Sequence, residues 1–431
     1  MKNEEFKCFK MTRFSLLDKI VNGIRDMWFI WRKEMSNVFR DEGVLMFCIL
    51  VPLGYPLLYS WIYNNEVVRE VPTAIVDLSN SQTSREFTRL YDAAPDVEAT
   101  YYCNSLDEAK QLVAKQAVHG ILYFPRDFDI QLNRGEQAHV SVYTDMSLML
   151  TYKAIYQTAQ AVASHINSGI QVAQSGGFTN RDDEITTKPL DFDEVPIFNT
   201  TGGYGNAILP GVLMLILQQT MLLGVGMAAG TSRELNRNRE LVPVSEHYAG
   251  IFRIVFGKAL CYFMIYAVMG MYLALVVPKL FGFVSMLTWT TILGFLLPFI
   301  LACIFFSLTI SCLVRYRENV MLLVVFTSVP LLFMTGISWP QSNIPGIWQG
   351  IAWLFPSTFG IRGFLRISSM GASLADIEPE FRALWIQVGV YFLTACLVFR
   401  QQIRNARVNA GLPAEKAAVE DDTEEIVKSE E

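Results

Sequence analysis

The sequence predicts an α-helical membrane protein with six transmembrane helices. It also predicts an external α/β domain inserted between spans one and two, and a short re-entrant or interfacial helical hairpin between spans five and six. Of 431 residues, 52% are hydrophobic and only 18% are charged, whereas soluble chains have about 25% charged residues. A helix needs about 20 apolar residues to cross a bilayer. Uncharged runs that fit this length occur at 44–63, 205–230, 259–277, 281–314, 320–338 and 383–399.

The prediction divides the chain into five regions. These are 1–43 as a cytoplasmic N-terminus, 44–63 as span one, 64–204 as the extracytoplasmic α/β domain, 205–400 as spans two to six, and 401–431 as a cytoplasmic tail. Nine Lys and Arg residues precede the first span, and cytoplasmic loops carry an excess of such residues. We therefore expect both termini in the cytoplasm, because six spans return the chain to its starting side.

The segment 25–40 is typical of an amphipathic helix that lies at a membrane surface. Basic residues surround its apolar face. The residues that share the apolar face are Trp28, Trp31, Met35, Val38 and Phe39.

The region between spans one and two alternates between strand and helix patterns. Strands are predicted in "TAIVDL", "VEATYY", "HGILYFP" and "AHVSVYTD". Helices are predicted over 81–93, after an N-capping Ser105, and from 147 to about 174. Alternating strands and helices indicate an α/β sheet unit.

The segment 338–364 is apolar, but Pro340, Pro345 and Pro356 interrupt it. Between the last two prolines there is room for about 10 helical residues, or roughly 15 Å, which is half a bilayer. Half-helices are tolerated at membrane depth where they pack against protein. We expect the segment to dip in from outside, turn back, and cap the outer end of an export path. The outer-gate candidates are Trp348, Trp353, Pro356 and Arg362.

Two polar residues, Gln218 and Gln219, lie near the middle of the second uncharged run. Polar groups at this depth face protein or water. They line a translocation path or join helices by hydrogen bonds, and the sequence leaves both interpretations open.

The sequence does not indicate an enzyme. Gly250, Gly257 and Lys258 resemble a phosphate-binding loop only faintly, because six residues separate the glycines and Ala259 follows the lysine. Lys258 is interpreted as a residue that snorkels to the lipid headgroups. No metal-ligand spacing is found among the four histidines. We expect no cofactor in this chain, no metal and no nucleic-acid partner.

Two stretches resemble a known family. They are "LVPVSEHYAGIFRIVFGKAL" and "VPLLFMTGISWPQSNIPGIWQGIAWLFPSTFGIRGFLRISSMG". Together with the order of the interfacial helix, span one, the external domain and five further spans, they are similar to the membrane subunits of type-2 ABC exporters. The resemblance is greatest to bacterial half-transporter permeases with a large periplasmic domain, a group that includes multidrug efflux permeases.

The resemblance implies a multi-pass permease of the bacterial inner membrane that exports an amphiphilic or hydrophobic substrate of the drug, lipid or glycolipid class. It implies three kinds of partner. Cytoplasmic ATPase subunits bind the ATP, a second permease copy or similar permease completes the transporter, and a periplasmic adaptor is a further candidate. In the family, the helix before span one and the loop between spans two and three contact the ATPase. The matching candidates here are Arg32, Glu34, Glu234, Arg237 and Glu240.

A second interpretation belongs to a different class. The protein would be a membrane receptor or adhesion-type protein whose external domain binds a ligand without transport. A receptor requires neither the broken segment at 338–364 nor the charged loop at 231–249, and both therefore favour export.

Overall fold

The computed structural model describes residues 16–64, 67–175, 179, 187, 197–199, 202–234, 250–314 and 316–409. The chain divides into two compact units. We call Asn65–Gly203 the α/β unit, and Met1–Asn64 together with Tyr204–Glu431 the membrane unit. Each is described by itself.

The membrane unit contains six helices that are long and apolar enough to cross a membrane, as the sequence predicts. Spans one to six are Glu42–Ile62, Tyr204–Glu234, Ile251–Phe281, Trp289–Ser311, Arg317–Met334 and Glu378–Asn405. The helix of span six continues to Asn409. Spans one and three each contain a π-helical turn, at Met46–Leu50 and Tyr272–Val276. Spans two and four are mostly buried and form the centre of the bundle, whereas few residues of spans five and six are buried.

The amphipathic helix, Leu16–Arg40, precedes span one and packs along span three. The residues of the predicted apolar face are divided between an exposed side and a buried side of the helix. Trp28 and Phe39 are exposed, and the buried side is formed by Asp26, Ile30, Glu34 and Val38. Acidic side chains can be buried there because span three supplies basic partners for them. Helical periodicity alone could not reveal those partners.

The α/β unit contains the four strands and three helices that the sequence predicts, and one further short helix, Phe128–Asn133, that it does not. The strands are β1 (Val71–Asp77), β2 (Val97–Tyr102), β3 (Gly120–Phe124) and β4 (Ser141–Thr144). The helices are α1 (Gln82–Asp92), α2 (Leu106–Ala114), α3 (Phe128–Asn133) and α4 (Met149–Ser175). The Ser105 hydroxyl accepts a hydrogen bond from the Glu108 N–H at 3.3 Å, so Ser105 is the N-cap of α2.

The four strands form one sheet in the order β2-β1-β3-β4. β1 pairs in parallel with both neighbours, and β4 is antiparallel to β3. Alternate residues of β1 point to opposite faces. Ile75 therefore joins the cluster that includes Phe87 of α1 and Ile155 of α4, and Val76 joins the cluster that includes Ala109 of α2. The sheet has helices on both faces, as expected for parallel strands.

Two short helices lie between spans five and six. We call Gly346–Ala352 the first hairpin helix and Pro356–Met370 the second hairpin helix. Pro345 is the N-cap of the first, and Pro356 opens the second. Proline suits both positions because a helix start needs no N–H there. The two helices are thus too short to cross a bilayer of roughly 30 Å.

Candidate functional site

The start of the first hairpin helix and the end of the second hairpin helix lie at the same end of the helix bundle. The Ser368 carbonyl, near the end of the second hairpin helix, accepts a hydrogen bond of 2.9 Å from the Met286 N–H. Met286 directly precedes span four, which begins at Trp289. The side-chain amide of Gln349, in the first hairpin helix, donates to the Gln341 carbonyl at 3.0 Å, in the loop after span five. The turn between the two helices, residues 353–355, therefore points into the bundle. We call it the hairpin tip.

The hairpin tip reaches deep along span four. The ring of Phe355 packs edge-on against the ring of Phe306, with 5.7 Å between the centroids. Phe306 follows Trp289 by 17 residues, which corresponds to about 26 Å of helix. The tip therefore lies beside the second half of the 23-residue span four, and is deeper than the half-bilayer dip that the prolines predict. The hairpin helices are not confined to the outer end of the bundle.

The second hairpin helix packs closely against span four because it has glycine at the contact points. A Cβ atom on Gly360 would lie 2.1 Å from the ring of Phe299, and one on Gly363 would lie 2.5 Å from the ring of Phe295. Both distances are shorter than real contacts allow. Any larger residue would push the hairpin away from span four.

Helix ends leave backbone groups without partners, and a membrane interior has no water to satisfy them. At the hairpin tip, side chains provide the missing hydrogen bonds to the backbone carbonyl groups. The Trp353 carbonyl accepts from Gln387 Nε2 at 2.8 Å, and the Leu354 carbonyl accepts from the Tyr391 hydroxyl. Both donors lie on span six. Within the hairpin, the Thr358 hydroxyl donates to the Ala352 carbonyl at 2.6 Å.

Span two contributes the remaining contact. Gln218 is fully buried, and its Oε1 accepts a hydrogen bond from the Ser357 N–H, in the first turn of the second hairpin helix. The thiol of Cys303 on span four donates weakly to the same oxygen at 3.8 Å. Of the two interpretations that the sequence left open for Gln218, the structure shows the hydrogen bond between helices.

The neighbouring Gln219 differs. It is also buried, but neither Oε1 nor Nε2 has a hydrogen-bond partner among the described residues. A buried amide without partners costs about 1–3 kcal/mol, so this residue has no structural role that the described contacts explain.

The outer-gate candidates have different surroundings. Trp348 and Trp353 are exposed, and Pro356 is buried where the second hairpin helix begins. Arg362 is half-buried, and its Nε donates to the Thr335 carbonyl at 3.0 Å, directly after span five. The Nη2 atom of Arg362 is buried and has no hydrogen-bond partner within the described ranges. All four candidates therefore lie in the hairpin segment, but only Pro356 is packed in the interior.

The coupling candidates that the structure describes lie at the opposite end of the bundle, and two of them have different surroundings. Arg32 is exposed on the amphipathic helix, whereas Glu34 is buried. The Glu34 carboxylate accepts from Lys258 Nζ at 2.8 Å and from the Tyr262 hydroxyl at 3.0 Å. Lys258 therefore forms an ion pair inside the bundle, and its predicted snorkelling to lipid headgroups is wrong. Glu34 thus faces span three.

A second ion pair lies about two helical turns away on the same two helices. Arg253 Nη1 lies 2.6 Å from Asp26 Oδ2. Between the two ion pairs, a Cβ atom on Gly257 would lie 2.9 Å from the Cβ of Ile30. Gly257 thus lets span three approach the amphipathic helix closely, and the next residue, Lys258, pairs with the charge of Glu34. We call this row of contacts the helix seam.

Of the candidates on the loop between spans two and three, the structure describes Glu234. It is exposed, and its Oε1 accepts from the Arg317 N–H at 3.0 Å, at the start of span five. Arg237 and Glu240 lie outside the described residues.

Asp41 makes polar contacts with spans one, two and five that were not predicted from the sequence. It caps span one through hydrogen bonds from the Gly43 and Val44 N–H groups. Its carboxylate also pairs with Arg317 Nη2 at 2.9 Å and accepts from the Thr231 hydroxyl at 2.8 Å. These groups line a cavity of about 500 Å³. The signal available beforehand was an N-capping residue directly before an apolar run.

Gln387 and Tyr391 were also missed. They are spaced i, i+4 and therefore lie on one face of span six, inside an otherwise apolar run. That spacing was the signal that could have found them. Among the described residues, no group of three or more His, Cys, Asp or Glu side chains could hold a metal ion.

Comparison with known proteins agrees with this arrangement. A family model described as "ABC-2 family transporter protein" matches residues 43–397. Two relatives are named "Probable multidrug ABC transporter permease YbhR", from Escherichia coli strain K12 and from strain O157:H7. Each is 20% identical over 364 residues, which are 83% of this chain and 93% of the relative. With six spans and a match over most of its length, the chain belongs to the ABC-2 family of transporters and is a permease subunit of an ABC transporter.

Proposed function

We propose that this permease exports an amphiphilic or hydrophobic substrate of the drug, lipid or glycolipid class from the cytoplasm or the inner leaflet. Energy would come from a separate ATPase subunit. The observation that carries the proposal is the hairpin, whose tip is held deep in the bundle by spans two, four and six. A broken helix at this depth is found where it packs on protein or lines a path.

The proposed orientation places both termini in the cytoplasm of a bacterial cell and the α/β unit outside the inner membrane. The positive charge before span one supports it. Arg233 and Arg253, at the facing ends of spans two and three, lie on the same side. Trp289, Trp339 and Trp348 then fall on the outer side, where tryptophan suits the interface. The hairpin thus enters from outside.

The ATPase would bind the cytoplasmic end of the bundle. Arg32 and Glu234 are exposed at that end, and they stay candidates for the contact together with Arg237 and Glu240. Glu34 would act indirectly. The helix seam ties the amphipathic helix to span three by two ion pairs and a glycine contact, so a push on that helix would move span three with it.

A second permease copy would complete the transporter. Span five has a continuous apolar face with helical spacing. It consists of Leu322, Val325, Phe326, Val329 and Phe333, all exposed. The first hairpin helix is exposed as well, at Ile347 and Trp348. Pairing of two such faces would enclose a path between the copies, with a hairpin on each side. The α/β unit would be the place for a periplasmic adaptor.

Co-purification and ATPase measurements test the proposal. The tagged permease should retain a nucleotide-binding subunit through purification from its own membranes, and the reconstituted complex should hydrolyse ATP faster when a transported amphiphile is added. Glu234→Ala should weaken this stimulation by about tenfold, since coupling energies are 1–3 kcal/mol. Glu378→Ala is the matched control, because Glu378 is exposed at the other end of the bundle.

Recovery of the permease alone, with no nucleotide-binding subunit under conditions that preserve its fold, would overturn the proposal. It would favour a receptor whose α/β unit binds a ligand without transport. Equal loss of stimulation in Glu234→Ala and Glu378→Ala would remove the coupling role of Glu234.

A further inference from the structure

We propose that Gln387 and Tyr391 form a polar latch that holds the hairpin tip and whose release opens the translocation path. The inference rests on the proposed function, since it identifies the residues that would control the gate. Both latch residues lie on span six and donate to carbonyl groups of the tip, Gln387 to Trp353 and Tyr391 to Leu354.

The latch bonds matter because apolar packing alone holds the tip weakly. Trp353 and Leu354 are 54% and 60% exposed, so one side of the tip is not packed against the described part of the chain. Below it, the ring of Tyr391 packs on Phe306 at 5.2 Å. The tip is therefore fixed on one side by hydrogen bonds and a few rings, and is open on the other.

The same level of the bundle offers the tip a second arrangement. Buried polar atoms without a hydrogen-bond partner among the described residues surround the latch. They are Gln218 Nε2, Gln387 Oε1, Ser357 Oγ and Ser307 Oγ. Native proteins leave few such atoms without an explanation. Spare donors and acceptors beside the latch offer alternative partners when its bonds break, as a switching element with two arrangements needs.

The break in the hairpin supplies the hinge. Residues 353–355 are not helical, and Pro356 cannot donate a backbone hydrogen bond to the first hairpin helix. The first hairpin helix has seven residues and few buried side chains. It can swing without unfolding the second hairpin helix, which Gly360 and Gly363 hold against span four.

Cys303 is a native reporter of the latch. Its side chain is fully buried, and its thiol contacts the Gln218 oxygen that caps the second hairpin helix. While the latch is closed, no reagent can reach this sulfur. Cys303 lies one turn before Phe306, which packs on Phe355 of the tip, so departure of the tip should open access to this sulfur.

The experiment uses the full-length permease with Cys303 as its sole cysteine, reconstituted in lipid vesicles. The rate of N-ethylmaleimide labelling is measured for the parent and for Tyr391→Phe and Gln387→Leu. Each substitution removes one latch bond, and one hydrogen bond corresponds to about a fivefold change in an equilibrium. We expect labelling to rise about fivefold in each. Tyr391→Phe keeps the ring that packs on Phe306, so the fold is retained.

Gln349→Leu is the matched control. It also removes hydrogen bonds within the hairpin, at 3.0 and 2.8 Å, but at the loop end. We expect it to leave Cys303 labelling unchanged. An equal rise in Gln349→Leu, or no rise in either latch variant, would overturn the latch.

A second measurement separates the latch from the proposed function. In the complex with the ATPase, ATP turnover should speed Cys303 labelling of the parent. If the latch variants label faster but no ATPase partner exists, the latch stands as a structural device and the export proposal fails. If an ATPase drives transport while Cys303 labelling of the parent stays constant during turnover, export stands and the latch is overturned.

Discussion

The ammonium group of Lys258 lies 2.8 Å from the carboxylate of Glu34, and the Tyr262 hydroxyl donates to the same carboxylate at 3.0 Å. Glu34 is buried on the amphipathic helix, while Lys258 and Tyr262 are one turn apart on span three. The contact thus fixes the position of a surface helix relative to a transmembrane helix.

Removal of Lys258 should leave the Glu34 carboxylate buried without its counter-charge. We expect Lys258→Met to destabilise the permease by about 3 kcal/mol, measured as thermal unfolding in detergent. The double variant Glu34→Gln/Lys258→Met should recover most of the loss, because no unpaired charge remains. Arg382→Met breaks a pair whose side chains are 67% and 59% exposed and should change stability by less than about 1 kcal/mol. A double variant no better than Lys258→Met would contradict the buried-charge argument.

Gly257 tests the close approach in the helix seam. An added methyl group would lie 2.9 Å from the Cβ of Ile30 and 3.1 Å from the Met27 carbonyl, so the amphipathic helix has to move. Overpacking of this kind costs about 1–3 kcal/mol. We expect Gly257→Ala to lower the melting temperature and to weaken ATPase coupling.

The matched control for Gly257→Ala is Gly389→Ala on span six, where nothing lies within 4 Å of the added atom. Alanine is the better helix former by about 1 kcal/mol, so this variant should be unchanged or more stable. Equal destabilisation by the two variants would show that the seam contact is not the cause.

The sequence predicted the elements that depend on local patterns. The lengths of the six spans follow from uncharged runs, the strands of the α/β unit from short apolar stretches, and the hairpin from Pro345 and Pro356. Each of these signals lies within about 20 neighbouring residues, and the bilayer adds a length requirement that few other structures satisfy. The structure agrees with them within a few residues in most cases.

Contacts between distant residues could not be predicted in this way. Glu34 and Lys258 are 224 residues apart, and Gln218 and Ser357 are 139 apart. From the sequence alone, Glu34 resembles any exposed acid on an amphipathic helix, and Gln218 resembles Gln219. Their roles differ because of which helix packs beside each one, and a single sequence does not contain that information.

The reactivity of Cys103 in the α/β unit tests whether the pKa of its thiol is raised. Its burial raises the pKa of the thiol, and the Glu108 carboxylate raises it further. The thiolate is the reactive form, so iodoacetamide labelling of a variant with Cys103 alone should still increase clearly from pH 9.5 to pH 10.5, where an ordinary thiol with a pKa of about 8.5 is already about nine-tenths ionised and its rate levels off. Glu108→Gln should raise the rate at pH 8, and Glu136→Gln should not. A plateau above pH 9.5 would contradict the raised pKa.

Gln218 and Gln219 should respond in opposite ways to the same substitution. Gln218→Leu removes the acceptor of the Ser357 N–H and leaves that group unsatisfied, so we expect a loss of about 1–3 kcal/mol in thermal unfolding. Gln219→Leu replaces a buried amide without partners among the described residues by an apolar group of similar size, and should stabilise the permease by an amount on the order of 1 kcal/mol. If Gln219 lines the translocation path, the stabilised variant should export less, because the amide that contacts the substrate is gone. If Gln219→Leu is stabilised and its export is unchanged, Gln219 does not line the path. If Gln219→Leu is destabilised, the amide has hydrogen-bond partners in the membrane, such as water.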